Sequence, residues 1–274
     1  MATAQLNGIT IDYQVTGQGR AVLMSHGYSA TRHMWDGQHA KLGDRYRMIS
    51  WDMRGHGATD SPSDPARYSH ALTVADMKAL LDHLGIRRAV IGGLSLGGTM
   101  SLEFYVAHPE MVEALILCDT GPGYRNAEAR AGWNARAHDR AARLEARGLA
   151  ALGSSRAARE IARPGTAAAE AAAPATESGA YVPRHRSAQG LAHAARGLLA
   201  QTGPEVIDGL PSIAVPTLII VGDQDEPFLA PSTYMAKKIP GARLEVIPDA
   251  GHWTNIDQPA LFNRIVLDFL ASLP

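Results

Sequence analysis

The chain has 274 residues, of which 46% are hydrophobic and 19% are charged, and its formal net charge is −1. These values are typical of a globular protein, and a length near the upper limit for a single hydrophobic core favours one large domain over two equal domains. The near-neutral charge, without a block of consecutive lysines or arginines, argues against nucleic acid as a partner.

The single cysteine, Cys118, cannot form an internal disulfide, and its apolar neighbours predict a buried free thiol. Residues 1–5 lack the basic start and apolar stretch of a signal peptide, and no apolar run is long enough to span a bilayer. We therefore expect a cytoplasmic protein with no membrane partner.

The predicted elements begin with a hairpin. Asn7 and Gly8 lie between two short alternating segments and predict a tight turn, because both residues tolerate a positive φ. Further along, short apolar runs bounded by Gly, Asp or Ser predict buried strands. The runs are residues 21–24, 46–51, 89–91, 114–118 and 217–221, and a last strand pattern spans 244–247.

Helical patterns lie between these runs. Residues 72–84 carry apolar side chains on one helical face, and residues 99–107 form a second helical segment. The alternation of strands and helices predicts an α/β fold: a mostly parallel sheet, opened by the hairpin and covered by helices on both faces.

The alternation stops between residues 121 and 204, where the composition is helical and no strand run occurs. We predict that residues 121–204 form an inserted helical cap on a core domain of residues 1–120 and 205–274. Nine of the twenty residues 161–180 are alanine, which predicts a mobile segment. Residues 121–200 hold twelve arginines, no lysine and six acidic residues. Solvated helix faces explain this charge, and an anion-attracting mouth is the alternative.

The most informative motif is Gly-x-Ser-x-Gly, centred on Ser95 at the junction of a predicted strand and a predicted helix. The pentad alone is a weak signal in a chain with 27 glycines. At such a junction, however, the turn is strained, and a Cβ on either glycine would collide with the neighbouring strand and helix. A helix that starts at Leu96 also directs free N–H groups at the site. We predict that Ser95 is a nucleophile, and a helix-capping serine is the alternative.

A serine attacks at neutral pH only when a base accepts its proton, and the base needs an acid to orient it. Asp225 and His252 each follow a predicted strand, at the sheet edge where open α/β sheets bind ligands. The order Ser95, Asp225, His252 is the order expected for a nucleophile-elbow hydrolase. Asp119 and Asp223 remain alternative acids.

These motifs resemble the α/β-hydrolase superfamily, in particular its small cap-bearing carboxylesterases and enol-lactonase-like hydrolases. The resemblance covers nearly the whole chain except the cap. It implies that Ser95 is the nucleophile, that Asp225 is the acid of the family's Gly-x-x-Asp motif, and that His252 is the base of its late Gly-His motif.

Two further segments are similar to family loops. Residues 25–28, Ser-His-Gly-Tyr, resemble the oxyanion loop, which implies that the backbone N–H groups of Tyr28 and Leu96 form the oxyanion hole. Residues 52–61 resemble the family's Asp-x-Arg-Gly-x-Gly turn, which implies a structural role only.

The related epoxide hydrolases and haloalkane dehalogenases have an aspartate at position 95, so the serine implies acyl transfer. The resemblance therefore implies a serine esterase with no metal and no cofactor, whose partner is a small-molecule ester or lactone. An enol-lactone hydrolase, a carbon–carbon bond hydrolase with the same triad, and a ligand-sensing receptor-like protein are the alternatives. Four aromatic residues are interpreted as packing rather than as pocket lining: Trp35, Trp133, Phe228 and Trp253.

Overall fold

A computed structural model describes residues 2–152, 181 and 183–274. The N-terminal hairpin is confirmed: β1 (Ala2–Leu6) pairs antiparallel with β2 (Ile9–Thr16). Asn7 and Gly8 connect the strands with φ values of +49° and +74°, the sign that a two-residue hairpin turn favours.

The strands form one sheet in the order β1-β2-β4-β3-β5-β6-β7-β8. β2 is antiparallel to β4, and the pairings from β4 onward are parallel, which confirms the mostly parallel sheet. The remaining strands are β3 (Ala21–Ser25), β4 (Arg47–Trp51), β5 (Ala89–Leu94), β6 (Val112–Cys118), β7 (Thr217–Gly222) and β8 (Arg243–Ile247).

β5 extends three residues beyond the predicted run, through Gly92 and Gly93. Glycine usually weakens a strand, but here the neighbours approach too closely for a side chain. A Cβ on Gly92 would lie 2.7 Å from the carbonyl oxygen of Ile116 on β6. The two glycines therefore allow β5 to continue to Leu94, directly before Ser95.

Helices cover both faces of the sheet, as predicted. One face packs against α1 and α9, which contribute Leu42 and Phe262 to the core, together with Trp35 just before α1, and the other packs against α2 and α3, with Met77 and Phe104. The helices are α1 (Asp36–Leu42), α2 (His70–His83), α3 (Leu96–Ala107), α4 (Ala127–Arg147), α5 (Ala188–Ala194), α6 (Glu205–Gly209), α7 (Glu226–Lys238), α8 (Thr254–Asp257) and α9 (Pro259–Ser272).

The predicted helix over residues 72–84 corresponds to α2. It begins two residues earlier because the side chain of Ser69 accepts a hydrogen bond from the backbone N–H of Leu72, which caps the helix. The predicted segment 99–107 corresponds to α3, which begins directly after Ser95.

Between β6 and β7, α4 and α5 pack against each other, and Ala137, Ala141 and Leu144 of α4 are buried. The cap boundaries at 121 and 204 stay predictions, and the predicted mobile segment 161–180 lies outside the described residues. Within the part of the chain that the structure describes, no helix is long and apolar enough to cross a membrane.

Candidate active site

Ser95 occupies a strained turn between β5 and α3, with φ +55° and ψ −114°. A positive φ is unfavourable for a residue with a Cβ and needs support from its surroundings. The Ser95 N–H donates to the carbonyl of Cys118 at 2.9 Å, and the Ser95 carbonyl accepts from the Thr120 hydroxyl at 2.7 Å. The Ser95 side chain makes no capping hydrogen bond to α3, so the interpretation of this residue as a capping serine is wrong.

The glycines of the motif are required for the steric reason given above. A Cβ on Gly97 would lie 2.2 Å from the carbonyl oxygen of Ser25, and a Cβ on Gly93 would lie 2.5 Å from the backbone of Gly97. Both distances are far below van der Waals contact. β3, β5 and α3 can therefore pack this closely around Ser95 only with glycine at these positions.

His252 and Asp225 are brought together from two separate loops. Nδ1 of His252 donates a hydrogen bond to Oδ2 of Asp225 at 2.8 Å, and the side chains are only 11% and 1% exposed. Asp225 stands at the N-terminus of α7, but its side chain does not cap that helix. This contact fixes the ring so that Nε2 is the nitrogen left to act on a substrate. His252 and Ser95 line the same cavity.

Asp119, one of the alternative acids, makes other contacts. Its Oδ1 accepts from the N–H of Gly222 at 3.0 Å, and its Oδ2 accepts from the hydroxyl of Thr254 at 2.6 Å. Burial, followed by the charge of Asp225, raises the pKa of the Asp119 carboxyl well above its usual range. Asp119 thus links the ends of β6 and β7 to the start of α8.

Asp223, the other alternative, is exposed, and its Oδ1 accepts from the N–H of Ala250 at 3.3 Å. The carboxylate that accepts the described hydrogen bond from the His252 ring is that of Asp225. The geometry therefore favours Asp225 as the acid that orients the histidine.

The predicted oxyanion loop lies beside the elbow. A Cβ on Gly27 would lie 3.5 Å from the Cβ of Ser95, and Tyr28 and Leu96 both line the cavity next to Ser95. Leu96 is the first residue of α3, where backbone N–H groups have no partner within the helix. The Tyr28 hydroxyl donates to the carbonyl of Leu191 on α5 at 2.9 Å, and burial raises the pKa of this phenol.

His26 connects the predicted oxyanion loop to the segment that follows β4. It is completely buried, its Nδ1 donates to the carbonyl of Gly27 at 2.7 Å, and its Nε2 accepts from the N–H of Met53 at 3.0 Å. Burial lowers the pKa of His26 to about 4, so the ring is neutral at pH 7.

His185, from the segment between β6 and β7, binds the same region of the core. Its Nδ1 accepts from the N–H of Gly57 at 3.0 Å, and its Nε2 donates to the carbonyl of Ser29 at 3.0 Å. Burial lowers its pKa to about 4 as well. The His56 ring lies between the rings of His26 and His185, with centroid distances of 4.9 and 5.9 Å. These contacts hold the predicted cap against the two family loops.

The cavity over Ser95 has a volume of about 770 Å³. Trp133, Phe228 and Trp253 line it, so their interpretation as packing alone is wrong, and the Phe228 ring lies 4.9 Å from the His252 ring. Trp35 is fully buried against Phe262 and is a packing residue, as predicted.

Three arginines of α4 also line this cavity: Arg136, Arg140 and Arg143. The sequence interpretation favoured solvated helix faces for the arginines of this region and assigned none of them to the site. Their spacing of four and three residues was the available signal, because it places side chains on one helical face.

A family model described as the alpha/beta hydrolase fold matches residues 20–259. The chain belongs to the α/β-hydrolase family. This α/β-hydrolase is 31% identical over 267 residues to a putative 2-succinyl-6-hydroxy-2,4-cyclohexadiene-1-carboxylate synthase of Bacillus subtilis, covering 96% of each chain. It is also 31% identical over 268 residues to 3-oxoadipate enol-lactonase 2 of Acinetobacter baylyi, covering 96% of this chain and 94% of the relative.

Among solved structures, the α/β-hydrolase chain is similar to a thermophilic esterase from Thermogutta terrifontis, determined with malate bound. The TM-score is 0.78 and the identity 27%, over 99% of this chain and 98% of the esterase. The resemblance to esterases and enol-lactonase-like hydrolases, and the fold that it implied, are thereby confirmed.

Proposed function

We propose that this α/β-hydrolase is a serine esterase that cleaves small to medium carboxylic esters through an acyl-enzyme on Ser95. The observation that carries the proposal is the 2.8 Å hydrogen bond between His252 and Asp225, in a cavity that His252 lines together with a strained Ser95. A nucleophile, a base and an orienting acid are the parts that acyl transfer needs.

In this mechanism Nε2 of His252 takes the proton of the Ser95 hydroxyl as the oxygen attacks the ester carbonyl. Asp225 stabilises the imidazolium, and the N–H groups of Tyr28 and Leu96 bind the oxyanion, where each donor is typically worth about 3 kcal/mol. His252 then protonates the leaving alcohol. A water molecule, activated by the same histidine, hydrolyses the acyl-enzyme and restores Ser95.

Two features bear on the substrate. A cavity of about 770 Å³ lies within the range of small-molecule sites, which supports a small to medium ester. The two curated relatives have the same 31% identity to this chain but carry different reaction names, so identity does not choose the reaction. An enol-lactone is the second candidate substrate, because one of these relatives is named an enol-lactonase and a lactone needs the same attack on an acyl carbon.

The test is hydrolysis of p-nitrophenyl esters of graded acyl length, together with an enol-lactone, by the wild type and by matched variants. Ser95→Ala should abolish turnover, while Ser101→Ala, a buried serine on the same helix, should keep it. Asp225→Asn should lower kcat by on the order of 10⁴, because it leaves the imidazole in the wrong tautomer.

Asp119→Asn serves as the control for Asp225→Asn. It should lower kcat far less, because the described hydrogen bonds of Asp119 go to Gly222 and Thr254 and not to His252. Activity is expected to persist in EDTA, since none of these steps uses a metal. More than a few per cent of the activity remaining in Ser95→Ala, or a larger loss in Asp119→Asn than in Asp225→Asn, would contradict the proposal.

A further inference from the structure

One helix gives the cavity a wall of charged side chains, although this helix carries none of the candidate catalytic residues. α4 contributes Arg136, Arg140 and Arg143 to the lining, and Ser95 and His252 belong to the same lining. Side chains spaced by four and three residues project from one face of a helix on successive turns. A substrate held at Ser95 therefore shares its enclosure with three guanidinium groups.

The charge of this wall is positive. Among the described lining residues, Asp139 is the acidic one, against the three arginines. Two histidines line the cavity as well, His252 in its bond to Asp225 and His70. Burial is the largest single effect on the pKa of His70 and lowers it, but the hydrogen bond and charge of Glu103, together with the carbonyls of Leu198 and Ala200, raise the pKa above its usual value.

Arg140, the middle arginine, is partly buried, whereas Arg136 and Arg143 are exposed. Burial lowers the pKa of Arg140 to about 10; the nearby Tyr28 opposes this shift, and the charges of Arg143 and Arg136 add to it. The guanidinium of Arg140 stays charged at pH 7. Because burial disfavours this charge, a bound anion would stabilise it. The Arg136 guanidinium lies 5.4 Å from the centre of the Trp133 ring, which limits its freedom.

Other arginines of the same region lie outside the cavity lining. Arg125 pairs with Asp208, and Arg196 forms two hydrogen bonds with Glu145 at 2.6 and 2.8 Å. Neither of these paired arginines is among the described residues that line the cavity. The arginine-rich segment thus contains arginines that form ion pairs away from the cavity and three that line it.

We propose that Arg136, Arg140 and Arg143 form a carboxylate-binding subsite, and that the substrate is an ester or lactone that carries a free carboxylate. The inference rests on the proposed function for the identity of the cleaved bond. Guanidinium groups bind carboxylates through paired, charge-assisted hydrogen bonds, which are stronger than hydrogen bonds between neutral groups. Monoesters of short dicarboxylic acids and lactones with a free carboxyl group have this chemistry.

The kinetic test compares two esters of equal length, mono-p-nitrophenyl glutarate and its neutral methyl ester. The wild type should have the higher kcat/KM for the anionic ester. Arg140→Gln and Arg143→Gln should lower the ratio of the two kcat/KM values by about tenfold or more, the size expected from the loss of a charged hydrogen bond. Arg147→Gln, an exposed residue of α4 outside the lining, is the matched control and should leave the ratio unchanged.

A binding test separates this inference from the proposed function. Titration calorimetry follows the binding of glutarate to the Ser95→Ala protein, which needs no turnover. Glutarate should bind, and Arg140→Gln or Arg143→Gln in this background should weaken it by about tenfold or more, unlike Arg147→Gln. Equal affinity in all four proteins, or a wild type that prefers the neutral ester, would overturn the carboxylate subsite. Full turnover by Ser95→Ala would instead overturn the esterase proposal and leave the binding result standing.

Discussion

The neutral, buried His26 under the oxyanion loop should make the protein lose stability on acidification. The imidazole is completely buried, and its Nε2 accepts a hydrogen bond from Met53. A proton on Nε2 would place a charge in the core and remove that hydrogen bond. The free energy of unfolding should therefore fall more steeply in the wild type than in His26→Asn between pH 7 and pH 5.

The size of the effect follows from the two pKa values. In the unfolded chain a histidine titrates near pH 6.5, while the folded His26 stays neutral down to a pKa of about 4. Between these values the unfolded state binds more protons, so the free energy of unfolding falls as the pH is lowered. For His26 alone, the loss from pH 7 to pH 5 is about 2 kcal/mol.

Buried carboxyls act in the opposite direction. The pKa of Asp119 is raised in the folded state, so its protonation stabilises the fold as the pH falls. The whole pH profile is a sum of such effects, but the difference between wild type and variant isolates the contribution of His26.

The assay is urea unfolding followed by circular dichroism at pH 7 and pH 5. His26→Asn should lose about 2 kcal/mol less on acidification than the wild type does, whatever its stability at pH 7. Ser101→Ala is the control, because it removes a buried hydrogen bond to Gly97 without removing a titrating group. It should lower stability and keep the wild-type pH dependence. An acid loss in His26→Asn equal to that of the wild type would refute the reasoning.

Three further predictions concern stability. Gly98→Ala should lower the free energy of unfolding by about 1–3 kcal/mol and also lower the proposed ester hydrolysis, because its Cβ would lie 2.6 Å from Cγ2 of Thr120, whose hydroxyl binds the Ser95 carbonyl. Arg54→Met should lower the free energy of unfolding in urea by about 3–5 kcal/mol, because it leaves the fully buried Asp76 without its ion pair. The double variant Arg54→Met with Asp76→Leu should recover part of that loss. Phe104→Ala, at a fully buried core position, should cost about 3–5 kcal/mol, measured as a lower Tm and urea midpoint.

The sheet was predictable because its signals are local. Each buried strand is a short apolar run, and the turn at Asn7 and Gly8 is specified by two adjacent residues. The end of β5 was predicted too early, because the space beside Gly92 depends on β6, a strand that lies about twenty residues further along the chain.

The candidate triad was predictable as residue types at strand ends, but the choice of acid needed three dimensions. Asp119 and Asp225 both end strands at the same sheet edge, and only the packing of the loops decides which carboxylate meets His252. In the same way, the rotation of α4 about its axis decides that Arg140 faces the cavity. Helical spacing groups side chains on a face, but it does not say what that face covers.

β6 and β7 are direct neighbours in the sheet, with Cys118 opposite Ile220, although β6 ends at Cys118 and β7 begins at Thr217, and the described residues between them add no strand to the sheet. The entropy of closing such an excursion grows slowly, by only about 0.6 kcal/mol for each doubling of its length. Descendants of this gene can therefore gain, lose or exchange whole helices at this point while the strand ladder beneath stays the same. Selectivity can diverge by insertion and deletion in one place, without any change at Ser95, Asp225 or His252.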